Sequence, residues 1–204
     1  CYTGFKWIAS VIRENEGKAR YIGGGEESYG FLPEDFVRDK DSVSSISLMA
    51  EIAAWAKDKG MTMYQMLQDI YIKYGYSKEK GISVVRKGKS GAEEIVAMMK
   101  NFRENPMKEL GGSPVILIKD YASLEATDMV NGTKSKLDMP VTSNVLQYFS
   151  ADGSKVSIRP SGTEPKIKFY IEVRGIKMDN YADYDAANAA ADAKIEAIKK
   201  ELGI

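Results

Sequence analysis

The chain has 204 residues, 44% hydrophobic and 28% charged, enough to bury a core in one large domain or two small ones and too apolar for a disordered tail. Lys plus Arg equals Asp plus Glu at 29 each, so no overall field draws in nucleic acid or an anionic membrane, and any anion site has to be local. Histidine is absent and Cys1 is the only cysteine, which excludes Ser-His-Asp and Cys-His catalysis, a cysteine metal cluster and an internal disulfide within this chain.

No apolar run approaches the ~20 residues of a membrane-spanning helix, and no basic-then-apolar signal opens the sequence. The lone cysteine fits a reducing cytoplasm. The chain starts Cys-Tyr-Thr-Gly-Phe-Lys without an initiator Met, which leads us to expect a piece of a longer protein. In chain order, residues 8–13 read as an amphipathic helix with Lys6 and Trp7 near its start, stopped at Glu16-Gly17. Residues 19–22 read as a short apolar strand running into glycines 23–25. A polar loop, PEDFVRDKDS, leads to a long helix at 42–59, where Ile46, Met49, Ile52, Ala53 and Ala56 recur at helical spacing and Gly60 is the stop. Residues 62–74 repeat that pattern, with methionines as core filler. YGYSKEKG, at 74–81, reads as the junction to a second unit.

Beyond the junction the spacing predicts a strand at 82–86, a helix at 90–103 and strands at 114–119, 144–148 and 155–159, the last two separated by a turn at Asp152-Gly153. Residues 166–173 alternate, with Ile167, Phe169, Ile171 and Val173 on one face and Lys166, Lys168, Tyr170 and Glu172 on the other. An Ala-rich helix follows at 183–202, and the polar stretch 131–140 is expected to be mobile. The fold class is therefore α/β followed by α+β. Residues 1–76 form the first unit. Residues 77–204 form a small antiparallel sheet with two helices on one face.

Two loops carry chemistry. RPSGTEP, at 159–165, joins two predicted strands and is stiffened at both ends by proline. Ser161, Gly162 and Thr163 can turn successive N–H groups inward as an anion nest, two hydroxyls add donors, and the Arg159 fork suits two phosphate oxygens. Lys168, on the polar face of the next strand, can add a point charge. The alternative is a Pro-Gly turn with an incidental arginine. GGEESYG, at 24–30, sets carboxylates and a hydroxyl on a permissive backbone. Glu26 and Ser28 lie two apart and share a side of an extended segment, suited to vicinal sugar hydroxyls. The alternative is a glycine-rich turn with solvated acids. Thr3-Gly4 can form a third short loop, and the VRDKDS stretch, with Arg38 and Lys40 next to Asp35, Asp39 and Asp41, reads by itself as a solvated charged loop.

Together these segments resemble the α-D-phosphohexomutase superfamily, the phosphoglucomutases and phosphomannomutases. GEESYG is similar to the sugar-binding loop of that family's third domain and RPSGTEPKIKFY to the phosphate-binding loop of its fourth, with TGFK and RDKD matching two more segments in the right order. The resemblance implies the end of a third domain, truncated at its start with an exposed sheet edge, plus a fourth domain. It implies that Glu26, Ser28, Thr3 and Gly4 contact sugar, that Lys40 is the catalytic lysine at the reacting phosphosugar, and that Arg159, Ser161, Gly162, Thr163 and Lys168 hold the non-reacting phosphate. Many members carry Arg where this chain has Lys168. The family reaction interconverts hexose 1-phosphate and hexose 6-phosphate through an enzyme phosphoserine and a bisphosphorylated intermediate such as glucose 1,6-bisphosphate, with Mg2+ held in another domain. The phosphoserine loop and the Asp-Gly-Asp-Gly-Asp magnesium loop are not found here, so the fragment is expected to bind a phosphosugar, to need the missing N-terminal domains as partners, and to be inactive alone in the cytoplasm. GEESYG is closer to the loops of glucose-phosphate members, and pentose phosphates are left open. The competing readings are a stand-alone phosphosugar-binding module and a protein-interaction domain that uses the last helix.

Overall fold

The computed structural model describes residues 1–27 and 29–204, the side chain of Lys89 excepted. It divides into two compact units, Cys1–Leu67 and Gln68–Ile204.

In the first unit, helix α1 (Phe5–Glu14) is followed by a two-stranded antiparallel ribbon, β1 (Gly24–Gly25) and β2 (Phe31–Leu32), and then by helix α2 (Ser42–Asp58) and the start of helix α3 (Met63–Tyr74). Phe5, Ile8 and Ile12 recur at helical spacing, and Phe5 and Ile12 are buried with Leu32 while Ile8 and Tyr21 pack against them. α1 begins three residues before the sequence indicates, because its N-cap is Gly4, at φ 116° with no capping side chain to announce it. The strand expected at 19–22 is absent. Tyr21 instead donates its hydroxyl to the Leu32 carbonyl at 3.1 Å, and the ribbon starts at the glycines. α2 starts where the Asp41 carboxylate accepts from the backbone N–H of Val43 and Ser44, and the Ser44 hydroxyl together with these N–H groups holds its carboxyl below the ordinary range. α3 starts with a reciprocal cap between Thr62 and Gln65. α2 is apolar on more than its packed side: Ala56 is buried, yet Val43, Ile46 and Met49 are exposed. A helix apolar all round is the kind that is covered on all sides.

In the second unit, β3 (Tyr76–Val85), helix α4 (Gly88–Glu104), β4 (Glu109–Leu110), β5 (Ser113–Asp120), β6 (Glu125–Asp128), β7 (Lys134–Lys136), β8 (Leu146–Ser150), β9 (Lys155–Pro160), β10 (Lys166–Ile176) and helix α5 (Tyr184–Leu202) follow in order. The sheet order is β3-β10-β9-β8-β5-β6-β7, with β4 paired to β5 and every pairing antiparallel. The expected alternation on β10 holds. Leu146, Ile158, Phe169 and Ile82 form one cross-strand row, and α4 and α5 pack on that face through Ile95, Met99 and Phe102 and through Ala187, Ala191, Ile195 and Ile198. Two expectations fail at the sheet edges. The supposed junction 74–81 is largely the first half of β3, and the supposedly mobile 131–140 contains β7. Both are edge strands, whose charged residues face water and hide the pattern. Among the described residues no helix is long and apolar enough to cross a membrane.

Tyr148 ties the sheet to a helix end. It is fully buried and donates its hydroxyl to the Phe102 carbonyl at 2.6 Å, one of the α4 carbonyls with no partner inside the helix. Burial pushes the phenol well above its usual value, so it stays a donor throughout the working pH range. Tyr148→Phe is expected to lower stability by about 1–2 kcal/mol in a urea titration, the cost of leaving that carbonyl unpaired.

Candidate functional site

In the first unit, the loop between β1 and β2 is closed by the Glu26 N–H donating to the Gly30 carbonyl at 2.8 Å. Tyr29, inside it, takes a left-handed φ of 66° and is fully exposed, and Ser28 lies outside the described residues. Just after β2 the chain returns. The Asp41 N–H donates to the Phe31 carbonyl at 3.1 Å, which brings Lys40 beside Gly30. A Cβ on Gly30 would fall 2.8 Å from Lys40 Cδ, 3.1 Å from Phe5 Cε2 and 3.2 Å from Glu26 Oε2. Gly30 is thus the point where α1, the acidic loop and the RDKD stretch meet, and only the missing side chain makes room.

Glu26 and Lys40 are brought together, and Phe5 joins them. Gly4 precedes Phe5 as the N-cap of α1, with Thr3 exposed before it. Lys40 Nζ lies 5.3 Å from the Phe5 ring centroid and 3.0 Å from Asp39 Oδ1. The hydrogen bonds from Lys40 hold the Asp39 carboxyl below the usual carboxylate range. Two other charges of this loop are structural: Arg38 pairs with Glu16 and donates to the Asp35 carbonyl, and Asp41 caps α2. The sequence alone does not point to Phe5, although it stands inside TGFK. Gly30→Ala is expected to displace Lys40 and Glu26 and to lower stability by about 1–3 kcal/mol from overpacking, read in a urea titration.

In the second unit, residues 161–165 join β9 to β10. Ser161 N–H donates to the Lys166 carbonyl at 2.8 Å and Arg86 N–H to the Pro165 carbonyl at 2.9 Å, which pins the turn at its neck. The Ser161 hydroxyl accepts from the N–H groups of Thr163 and Glu164 at 3.4 and 3.3 Å. So part of the expected inward nest is filled by the chain's own serine, a local competition common for this residue type. Gly162 and Thr163 are exposed. Arg159 and Lys168 are direct cross-strand partners and so lie on one face, opposite the helices. The Arg159 side chain has no hydrogen-bond or ion-pair partner among the described residues, which leaves its fork open to an oxyanion. Glu164 is drawn to Lys166 at 2.6 Å, and bonds from Lys166 hold its carboxyl below the ordinary range. Among the described residues no group of three or more Cys, Asp or Glu side chains could hold a metal ion, so they do not fit the magnesium site that the resemblance implies for the whole protein.

The comparisons agree with these two halves. The family described as "Phosphoglucomutase/phosphomannomutase, alpha/beta/alpha domain III" matches residues 1–74, and that described as "Phosphoglucomutase/phosphomannomutase, C-terminal domain" matches 118–179. A phosphoglucomutase of Staphylococcus aureus (strain MRSA252) is 39% identical over 180 residues, 88% of this chain and 32% of the relative. One of Staphylococcus haemolyticus (strain JCSC1435) is 35% identical over 178 residues, 87% of this chain and 32% of the relative. The chain therefore spans about a third of the length of the curated relatives it matches. A crystal structure of the Paramecium exocytosis-sensitive phosphoprotein pp63/parafusin, a phosphoglucomutase in an open form, shares the fold at TM-score 0.57 and 19% identity, covering 99% of this chain and 34% of that one. With domain III matched across the first unit and the C-terminal domain across the sheet that carries the 161–165 turn, the chain belongs to the phosphoglucomutase/phosphomannomutase family.

Proposed function

We propose that this chain supplies sugar and phosphate binding to a phosphohexomutase that interconverts hexose 1-phosphate and hexose 6-phosphate, with glucose phosphates favoured over mannose phosphates. The unpartnered Arg159 beside Lys168, next to the 161–163 turn, carries the reading. A guanidinium and an ammonium on one face, flanked by hydroxyls, suit a phosphate dianion.

In this reading Arg159, Ser161, Gly162, Thr163 and Lys168 hold the non-reacting phosphate. Glu26 accepts bonds from sugar hydroxyls together with Ser28, and Thr3 and Gly4 line the same loop cluster. Lys40 serves at the reacting end, where an ammonium stabilises charge on the phosphoryl group or assists a proton transfer. Phosphoryl transfer depends chiefly on positioning and charge stabilisation, so holding residues of this kind decide much of the rate. The phosphoserine and the Mg2+ site belong to other segments of a longer chain, glucose 1,6-bisphosphate is the intermediate, and the fragment alone is inactive. Two observations support a longer chain: the relatives are about three times as long, and α2 is apolar on its uncovered side. The proposed domain division falls after Tyr76; the domain III match ends at residue 74, and the compact units divide after Leu67. The cytoplasm is the expected compartment.

The test is an assay of the longer protein with glucose 1-phosphate, coupled to detection of glucose 6-phosphate. Conversion that disappears when residues 1–204 are deleted supports the reading. Phosphosugar binding without conversion points to a stand-alone binding module instead.

A further inference from the structure

We infer that Phe5 is a positioning residue for Lys40: its ring face fixes where the ammonium stands without cancelling the charge. This rests on the role proposed above for Lys40. A lysine carries a strongly hydrated point charge on a flexible stem, so something must select one position for it. Among the described residues, an ion pair and a ring face this ammonium. Asp39 lies 3.0 Å away, but the lysine and aspartate side chains are 52% and 69% exposed, and an exposed pair is weak and screened. A carboxylate also competes with any anionic ligand for the same charge. The Phe5 ring, 5.3 Å from Nζ, is different. Its quadrupole attracts a cation while adding no net negative charge. Phe5 is only 5% exposed and packed with Ile12 and Leu32, so the core rather than the loop holds the ring. Gly30 completes the arrangement, since the space its side chain would take is occupied by the Lys40 stem and the Phe5 edge. One apolar residue thus anchors the start of α1, floors the acidic loop and aims the charge.

The test uses the longer protein with [ε-13C]lysine and three residues at position 5: Phe, Leu and pentafluorophenylalanine. The fluorinated ring keeps shape and apolarity but reverses the quadrupole, so a purely packing role is not disturbed by it. The Lys40 ε-methylene signal is assigned by its loss in Lys40→Arg. The expected result is a ring-shifted signal with Phe that moves toward the free-lysine value with both Leu and pentafluorophenylalanine, and kcat/KM for glucose 1-phosphate about three- to tenfold lower in both. A fluorinated protein with the native lysine signal and native kcat/KM would overturn the inference. That arm decides even if Phe5→Leu fails to fold. An unsubstituted protein without mutase activity would overturn the proposed function, while the lysine signal would still decide the role of Phe5.

Discussion

Lys194→Met is expected to lower the stability of the C-terminal unit by about 2–4 kcal/mol at pH 7. Methionine keeps the apolar stem and removes the ammonium. That ammonium pairs with Asp152 in the turn between β8 and β9, and the Lys194 side chain is only 14% exposed. Asp152 also accepts from the Ser150 hydroxyl at 2.8 Å and the Ser154 N–H at 3.0 Å. Without Lys194 a carboxylate is left half-buried with its strongest partner gone. The cost stays below that of a fully buried pair because Asp152 remains 29% exposed. Glycines seal the pair: a Cβ on Gly111 would come within 2.7 Å of Lys194 Cγ, and one on Gly175 within 2.9 Å of Asp152 Cβ.

The same pair has a pH signature. Burial by itself would raise the Asp152 carboxyl, but hydrogen bonds from Lys194, Ser150 and Ser154 outweigh it and lower the pKa from 3.8 to about 2. A folded pKa below the unfolded one gives stability that is complete above about pH 4 and is lost as pH falls toward 2. The linked amount is about 2 kcal/mol. Urea titrations at pH 7 and pH 2 should therefore show a large gap between the parent and Lys194→Met at neutral pH and a much smaller one in acid. An equal gap at both would assign the loss to packing rather than to the ion pair.

Arg159→Ala is expected to weaken phosphosugar binding by about 1.5–3 kcal/mol, roughly 10- to 100-fold, through the loss of a charged donor fork. Folding should hardly change, since Arg159 has no partner among the described residues to strand. Affinity for inorganic phosphate should fall in parallel, and any affinity for free glucose should be retained. Arg159→Lys should recover only part of the loss, because an ammonium restores the charge without the planar pair of donors.

The sequence pattern led correctly to the buried row on β10 and to helix α2, where period-2 and period-3.6 signals run uninterrupted. It failed at β3 and β7, because edge strands are selected for charge rather than alternation. It failed at residues 19–22, because a strand requires a partner and β2 is only two residues long. For the site, composition marked out both loops, and the matched family segments lie on them. What it could not show was the meeting of Glu26, Lys40 and Phe5 around Gly30. That depends on one tertiary register, the Asp41 N–H on the Phe31 carbonyl, which no local spacing encodes. Nor could it show that the Ser161 hydroxyl would take up the N–H groups of Thr163 and Glu164.

The central claim is the proposed one, that Glu26 recognises a sugar and Arg159 a phosphate. It is tested most directly by calorimetric titration of the longer protein with glucose 1-phosphate, inorganic phosphate and glucose, each repeated on Arg159→Ala and Glu26→Gln. The account predicts that glucose 1-phosphate binds more tightly than either part alone, that Arg159→Ala removes the phosphate contribution, and that Glu26→Gln removes the sugar contribution. Equal affinity for glucose 1-phosphate and inorganic phosphate, unmoved by Glu26→Gln, would contradict it.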